Sequence, residues 1–160
     1  MKPIFYTIIA LVLLTSCTQT RVVITEAELP EDLYFRDDAV KPFTGRCVIY
    51  YYGTEIVKEE LTYKKGLLHG LAVSYYKNGN IKRQGKYVNG RIDGKWESWY
   101  ENGQKNYELT YKNDTLYGDY ITWYPTGVIK ARGLYAQNGR TGVWTEYDEA
   151  GMILKKQNFE

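Results

Sequence analysis

The sequence predicts an all-β fold, an elongated antiparallel meander of repeated β-hairpins with a period of 24 residues. Two observations lead to this prediction: residue types recur every 24 positions, and turn dipeptides separate short segments rich in Trp, Tyr and Thr. The composition agrees, because 17 Tyr, 4 Trp and 4 Phe supply 16% of the 160 residues and strands favour aromatic side chains.

The N-terminus carries a targeting signal. Lys2 precedes an apolar run over residues 4–14, interrupted only by Tyr6 and Thr7. At about 1.5 Å per residue this run is too short to cross a hydrocarbon core of roughly 30 Å as a helix. We therefore interpret residues 1–16 as a signal peptide and not as a membrane span.

The residues that follow the apolar run, Leu14-Thr15-Ser16-Cys17, resemble the bacterial lipobox. The resemblance implies that Cys17 is acylated and becomes the new N-terminus. Several acyl chains together hold a protein stably at a bilayer. Thr18 stands where an inner-membrane retention signal has Asp, so the resemblance favours the outer membrane of the cell envelope. The alternative is a buried N-terminal strand that ends in an ordinary Cys.

Residues 17–41 differ in composition from the rest and are predicted to be a tether and N-terminal cap. Residues 18–21 are polar, residues 22–25 are a candidate lone strand, and residues 26–38 are acidic. We expect this segment to be a tether that carries the repeats away from the membrane. Its C-terminal part is also expected to cap the first copy, because repeat arrays need a capped end.

A 24-residue repeat occupies residues 42–160, in about five copies. An irregular earlier copy runs over residues 45–65 and places Cys47 in the column of Trp96. The aligned columns are Gly70, Gly94, Gly118 and Gly142; Gly79, Gly103, Gly127 and Gly151; Tyr63, Tyr87, Tyr111, Tyr135 and Phe159; Tyr75, Trp99, Trp123 and Tyr147; Tyr76, Tyr100 and Tyr124; and Ala72, Trp96, Tyr120 and Trp144.

Turn dipeptides such as Asn89-Gly90 and Asn102-Gly103 divide each copy into two strands. Asn and Gly adopt positive φ at low steric cost, as a tight hairpin turn requires. The segments 95–100 and 105–111 between such turns have the length and composition of half-buried strands. We expect about ten strands in one twisted antiparallel sheet.

The pattern formed by Gly94, Trp96, Trp99, Tyr100 and Gly103 resembles the MORN repeat family. More closely, residues 76–79 and 87–94 resemble the bacterial MORN-variant repeats of proteins labelled YwqK-family antitoxins. The resemblance covers residues 42–160 and implies the hairpin ribbon. Its motifs are specific for the fold and poorly specific for function. The antitoxin label implies that such a protein neutralises a toxin by binding it.

Side-chain alternation predicts two aromatic rows on opposite faces of the sheet, provided that no bulge intervenes. One row is a structural ladder of Trp96, Tyr100, Tyr120, Tyr124 and Trp144. The other row, of Tyr75, Trp99, Trp123 and Tyr147, is the candidate binding face. We also consider the hypothesis that both rows are chiefly structural, because stacked rings exclude water from a single-layer sheet.

Residues suited to catalysis or metal binding are few, because the sequence contains one His and two Cys. The single His, His69, falls in a turn, and Cys47 falls in an aromatic column, which predicts a small buried side chain. We expect no catalytic residues, no metal site and no cofactor. A formal charge of +2 lacks the basic excess of a nucleic-acid-binding protein, so we expect no nucleic acid partner. Adjacent acidic residues are interpreted as solvated surface, although composition alone does not exclude a two-carboxylate glycosidase.

Three functional classes follow from these observations. The first, which we favour, is a non-enzymatic interaction module that an envelope lipoprotein presents to a protein partner. The second is an antitoxin or immunity protein that neutralises a toxin by binding. The third is an envelope glycan-binding protein whose exposed Trp and Tyr rings stack on sugars.

Overall fold

The computed structural model describes the backbone of residues 20–25 and the whole of residues 43–160. These residues form one open sheet of 12 strands, and no helix occurs among them. The predicted all-β meander is therefore confirmed. The predicted signal peptide, Cys17 and most of the predicted tether lie outside the described residues.

The first half of the sheet is formed by β1 (Thr20–Thr25), β2 (Gly45–Tyr50), β3 (Val57–Lys64), β4 (Leu67–Tyr75), β5 (Ile81–Val88) and the short β6 (Arg91–Ile92). The second half is formed by β7 (Gly94–Trp99), β8 (Lys105–Lys112), β9 (Thr115–Trp123), β10 (Ile129–Ala136), β11 (Gly139–Tyr147) and β12 (Ile153–Phe159).

Strand order follows chain order, so the sheet is built from local hairpins. Each strand from β2 to β12 pairs antiparallel with its neighbour, with β6 paired to β5 beside the main path. The segment predicted as a lone strand differs from that expectation, because β1 pairs in parallel with β2, Thr20 opposite Gly45 and Thr25 opposite Tyr50. This part of the predicted tether therefore belongs to the sheet.

The turns at one end of the strands adopt the left-handed conformation that their residues favour. Asn89 has φ of 51° and Gly90 has φ of 82°, while Asn113 and Asp114 have 49° and 65°. Asn and Asp tolerate these angles because their short side chains bond locally. Tight turns here hold consecutive strands in the antiparallel register that the dipeptides predicted.

A β-bulge recurs in the second strand of each copy, next to the turn at the other end. Opposite Ser98 and Trp99 of β7, for example, β8 places Tyr107 and Lys105, which leaves Asn106 as the extra residue. The extra residues recur every 24 positions: Lys58, Lys82, Asn106, Lys130 and Leu154. Because the insertion lies on the partner strand, β7 keeps its own alternation.

The register assigns side chains to two faces. Trp96 opposes Leu109, and Leu109 opposes Tyr120, so all three lie on one side of the sheet, here called the packed face. Glu97 opposes Glu108 on the other side, here called the charged face.

Tryptophan rings form the centre of the packed face. Trp96 is 7% exposed and Trp144 is 2% exposed. The Trp144 indole N–H donates a hydrogen bond to the Leu134 carbonyl at 2.9 Å, and its ring lies over Gly133. A single-layer sheet thus builds its core from rings that lie flat on neighbouring strands.

Hydrogen bonds also join successive copies directly. At one end of the strands, the backbone N–H of Gly90 donates to the Leu68 carbonyl, and that of Asp114 donates to the Ile92 carbonyl, both at 2.8 Å. At the other end, tyrosine hydroxyls donate to backbone carbonyls about one copy further along the chain. The two sets hold neighbouring hairpins at a constant spacing.

Candidate functional site

The candidate binding row lies on the charged face. Tyr75, Trp99, Trp123 and Tyr147 are all partly buried. The Lys105 Nζ stands 5.6 Å from the centre of the Trp123 ring, and the Arg132 guanidinium carbon stands 5.8 Å from that of Tyr147. The row therefore presents aromatic rings with cations over them.

An ion-pair network occupies the middle of the charged face. The Lys105 Nζ lies 2.8 Å from a carboxylate oxygen of Glu97 and 2.6 Å from one of Glu108, and Lys95 lies 2.7 Å from the second oxygen of Glu108. The hydrogen bond from Lys105 holds the pKa of both carboxyl groups below their ordinary value. Both glutamates are therefore ionised at neutral pH, next to the aromatic row.

The other predicted row divides into two parts on the packed face. Tyr120 and Trp144 contact each other, whereas Trp96 packs against Tyr87. The Tyr120 ring centre lies 5.0 Å from that of Trp144, and Tyr87 meets Trp96 edge-on at 5.4 Å. Partial burial raises the pKa of Tyr120, with a further contribution from Tyr135, so its hydroxyl stays neutral.

Tyr100 and Tyr124 lie further along the strands, beside the bulges. The Tyr100 hydroxyl donates to the Trp123 carbonyl at 2.8 Å, and the Tyr124 hydroxyl donates to the Tyr147 carbonyl at 2.9 Å. Tyr51 and Tyr76 make the same bond to the Tyr75 and Trp99 carbonyls. These tyrosines are thus tied to the backbone of the candidate binding row.

A groove of about 480 Å³ opens on the packed face between these tyrosines. We call it the tyrosine groove. Its walls include Tyr100, Tyr120, Tyr124, Lys130, Arg140 and Glu146, and Trp123 and Tyr147 of the candidate binding row also line it. The Arg140 guanidinium carbon lies 4.2 Å from the centre of a Trp144 ring, and its Nη1 lies 3.7 Å from a carboxylate oxygen of Glu146. The groove therefore combines aromatic walls with fixed charges of both signs.

The remaining predicted residues have structural positions. The backbone N–H of Asn89 donates to Nδ1 of His69 at 3.3 Å, as that of Asn113 donates to the Asp93 carboxylate at 3.2 Å. The prediction that His69 lies in a turn is wrong, because His69 lies within β4 and its ring instead accepts a hydrogen bond from the neighbouring turn at Asn89. Cys47 is buried, as its column predicted, and burial raises the pKa of its thiol, with Glu59 adding to the effect.

Within residues 43–160 no group of three or more His, Cys, Asp or Glu side chains is arranged to hold a metal ion. In the part of the chain that the structure covers, no helix is long and apolar enough to cross a membrane.

Sequence reasoning missed the tyrosine groove, although the 24-residue alignment contains a signal for it. One column of the alignment holds a small residue, Ala131, where the other copies have large ones: Glu59, Arg83, Tyr107 and Lys155. A small residue among large ones leaves space on that side of the sheet. The register was needed to show which side chains surround the space.

Comparison with known families agrees with the architecture. The profile of the MORN repeat variant family matches residues 68–89, 92–113, 116–137 and 140–160, together more than half of the chain. Each matched segment spans one strand pair with its connecting turn. A comparison with curated proteins finds no relative that matches the chain. The chain belongs to the MORN repeat variant family.

Proposed function

We propose that this chain is a lipoprotein of the cell envelope, anchored by acylated Cys17, whose repeat ribbon is a non-enzymatic protein-interaction module. Repeat proteins of this kind present an extended surface on which each copy contributes the same positions. The anchor is supported by Leu14-Thr15-Ser16-Cys17 after the apolar run. The binding role is supported by the charged face.

The observation that carries the binding role is the row of Tyr75, Trp99, Trp123 and Tyr147. Each copy adds two strands, so successive rings recur at intervals on the order of 10 Å along the sheet. Tyr, Trp and Arg are the residues that most often dominate binding energy at protein interfaces. Lys105 and Arg132 already lie over two of the rings.

Site-specific photocrosslinking tests the binding role. A photoreactive amino acid replaces Trp123 on the charged face in one variant, and the adjacent Thr122, which faces the other side, in a control. We expect a crosslinked protein from the envelope with the first variant and none with the second. Equal crosslinking from both positions, or none from either, contradicts the assignment of the binding face.

The identity of the crosslinked partner decides between the interaction classes. A structural or transport protein of the envelope fits the module as proposed. A toxin whose activity falls when the chain is added assigns the chain as an immunity protein acting in the envelope.

Metabolic labelling with a fatty-acid probe tests the anchor separately. The label is expected on the wild type and on Cys47→Ala, which removes the buried thiol, and is expected to disappear in Cys17→Ala. Membrane fractionation accompanies the labelling. An unlabelled product in the cytoplasmic fraction contradicts the anchor and makes a cytoplasmic antitoxin the leading alternative.

A further inference from the structure

The tyrosine groove is a candidate second site, which opens on the packed face and is also lined by Trp123 and Tyr147 of the proposed protein-binding row. We propose that it binds a saccharide unit of a glycan. Its volume of about 480 Å³ falls within the roughly 300–1,000 Å³ of small-molecule sites. This inference does not depend on the proposed protein interaction, because it is argued from Lys130, Arg140 and Glu146, which are not part of the protein-binding row.

The groove exists in this copy because residue 131 is Ala. Ala131 lies between Thr122 of β9 and Glu146 of β11. Two copies earlier the same position is Arg83, whose Nη2 lies 3.5 Å from a Glu59 carboxylate oxygen. The cavity left there is only about 30 Å³.

The walls of the groove are held in place before any ligand arrives. The hydroxyls of Tyr100 and Tyr124 are bonded to backbone carbonyls at 2.8 Å and 2.9 Å, which fixes both rings. The Arg140 guanidinium stacks on Trp144, and its ion pair with Glu146 is solvent-exposed and adds little to its rigidity. A rigid site loses little conformational entropy when it binds a ligand.

The polar groups match vicinal hydroxyls. The Lys130 ammonium and the Arg140 guanidinium only donate hydrogen bonds, while the Glu146 carboxylate only accepts them. Asn106, which also lines the groove, does both. Sugar hydroxyls donate and accept, and the C–H face of a sugar ring packs against an aromatic ring such as Tyr124.

The groove holds a carboxylate beside its two cations, which is unlike a site built for a phosphate group. Lys130 and Arg140 contribute two positive charges, and the Glu146 carboxylate 3.7 Å from Arg140 offsets one of them. A dianion placed in the groove would lie close to that carboxylate, and like charges at short range repel. A neutral ring with several hydroxyls meets no such penalty.

Isothermal titration calorimetry on the full chain tests the proposal, in a detergent without a sugar headgroup. The probes are the N-acetylglucosamine trimer, cellotriose, maltotriose and inorganic phosphate. We expect at least one trisaccharide to bind with a Kd on the order of 1 mM and phosphate to show no binding. Binding of phosphate alone, or of none of the four probes, overturns the proposal.

Variants locate the binding. Ala131→Tyr fills the groove with the residue that the preceding copy carries at Tyr107, and is expected to weaken binding by about tenfold or more. Glu146→Gln removes the carboxylate without adding bulk, and is expected to weaken it by about fivefold. Lys156→Ala, which removes an exposed cation opposite Thr145 on the charged face, is the control and should bind like wild type. Unchanged binding in both groove variants overturns the assignment.

Discussion

Gly85 lies beneath the indole ring of Trp96, so closely that a β-carbon built on the glycine would stand 2.3 Å from the ring. The same relationship recurs between Gly133 and Trp144. Neither glycine has a positive φ, so the backbone does not require them. They are needed because the tryptophan ring occupies the space that a side chain would fill.

Gly85→Ala is therefore expected to destabilise the fold by about 1–3 kcal/mol, as overpacking does. The methyl group forces the Trp96 ring away from the sheet. Urea denaturation measures the loss, and Lys86→Ala, an exposed neighbour, is the control with an expected change within about 0.5 kcal/mol. Equal stability of Gly85→Ala and wild type would show that the ring does not pack on the glycine.

Trp96→Ala is expected to cost about 3–5 kcal/mol, because it removes a large buried side chain and leaves a cavity. Trp99→Ala should cost less, since Trp99 is only partly buried. Thermal melts of both variants test the difference. In the Trp96→Ala background, Gly85→Ala should lose its effect, because contacting residues are energetically coupled. An unchanged melting temperature for Trp96→Ala contradicts its role in the core.

The ion-pair network predicts that the free energy of unfolding depends on pH in the acidic range. Hydrogen bonds from Lys105 lower the pKa of Glu97 and Glu108 in the folded chain. A group whose pKa is lower when folded stabilises the fold above its unfolded pKa, about 4.3 for Glu, and loses that contribution as the pH falls through the folded pKa. The urea concentration at the midpoint of unfolding should fall as the pH is lowered from above about 4.3 through the folded pKa, and it should fall less in Lys105→Met. Parallel curves for the two proteins would contradict the network.

Tyr100→Phe is expected to reduce stability by about 1 kcal/mol, the net value of a typical hydrogen bond. The substitution removes only the hydroxyl that donates to the Trp123 carbonyl. Tyr117→Phe, at an exposed position, is the control and should change stability by less than about 0.5 kcal/mol. If both variants unfold at the same denaturant concentration as wild type, the hydrogen bond from the Tyr100 hydroxyl to the next copy does not stabilise the fold.

His69 and Asp93 accept equivalent hydrogen bonds from turns in successive copies. Replacing His69 by Asp therefore tests whether the acceptor is what stabilises the turn. His69→Ala removes the acceptor for the Asn89 N–H and should cost about 0.5–1.5 kcal/mol. His69→Asp supplies the carboxylate that Asp93 uses and should retain most of the stability. Chemical denaturation of the two variants side by side measures the difference. Equal losses would indicate that the acceptor at this position is not what stabilises the turn.

Local signals predicted most of the fold. Asn89-Gly90 and Asn113-Asp114 adopt the positive φ values that their residue types favour. The 24-residue columns predicted which hairpins repeat, and the alternation predicted that Trp96 and Trp99 point to opposite sides of the strand. These features depend on residues close together in the chain, where turn chemistry and pleating operate.

The sequence alone determined the period, the turns and the all-β class of this protein, and its prediction of a lipid anchor at Cys17 stays a prediction. Only the tertiary structure decided that β1 pairs in parallel with β2, that Gly85 lies under Trp96, and that Ala131 opens a groove. The reason is physical. Turns and strand pleats form from neighbouring residues, whereas ring stacking and grooves depend on the cross-strand register and on the position of each bulge.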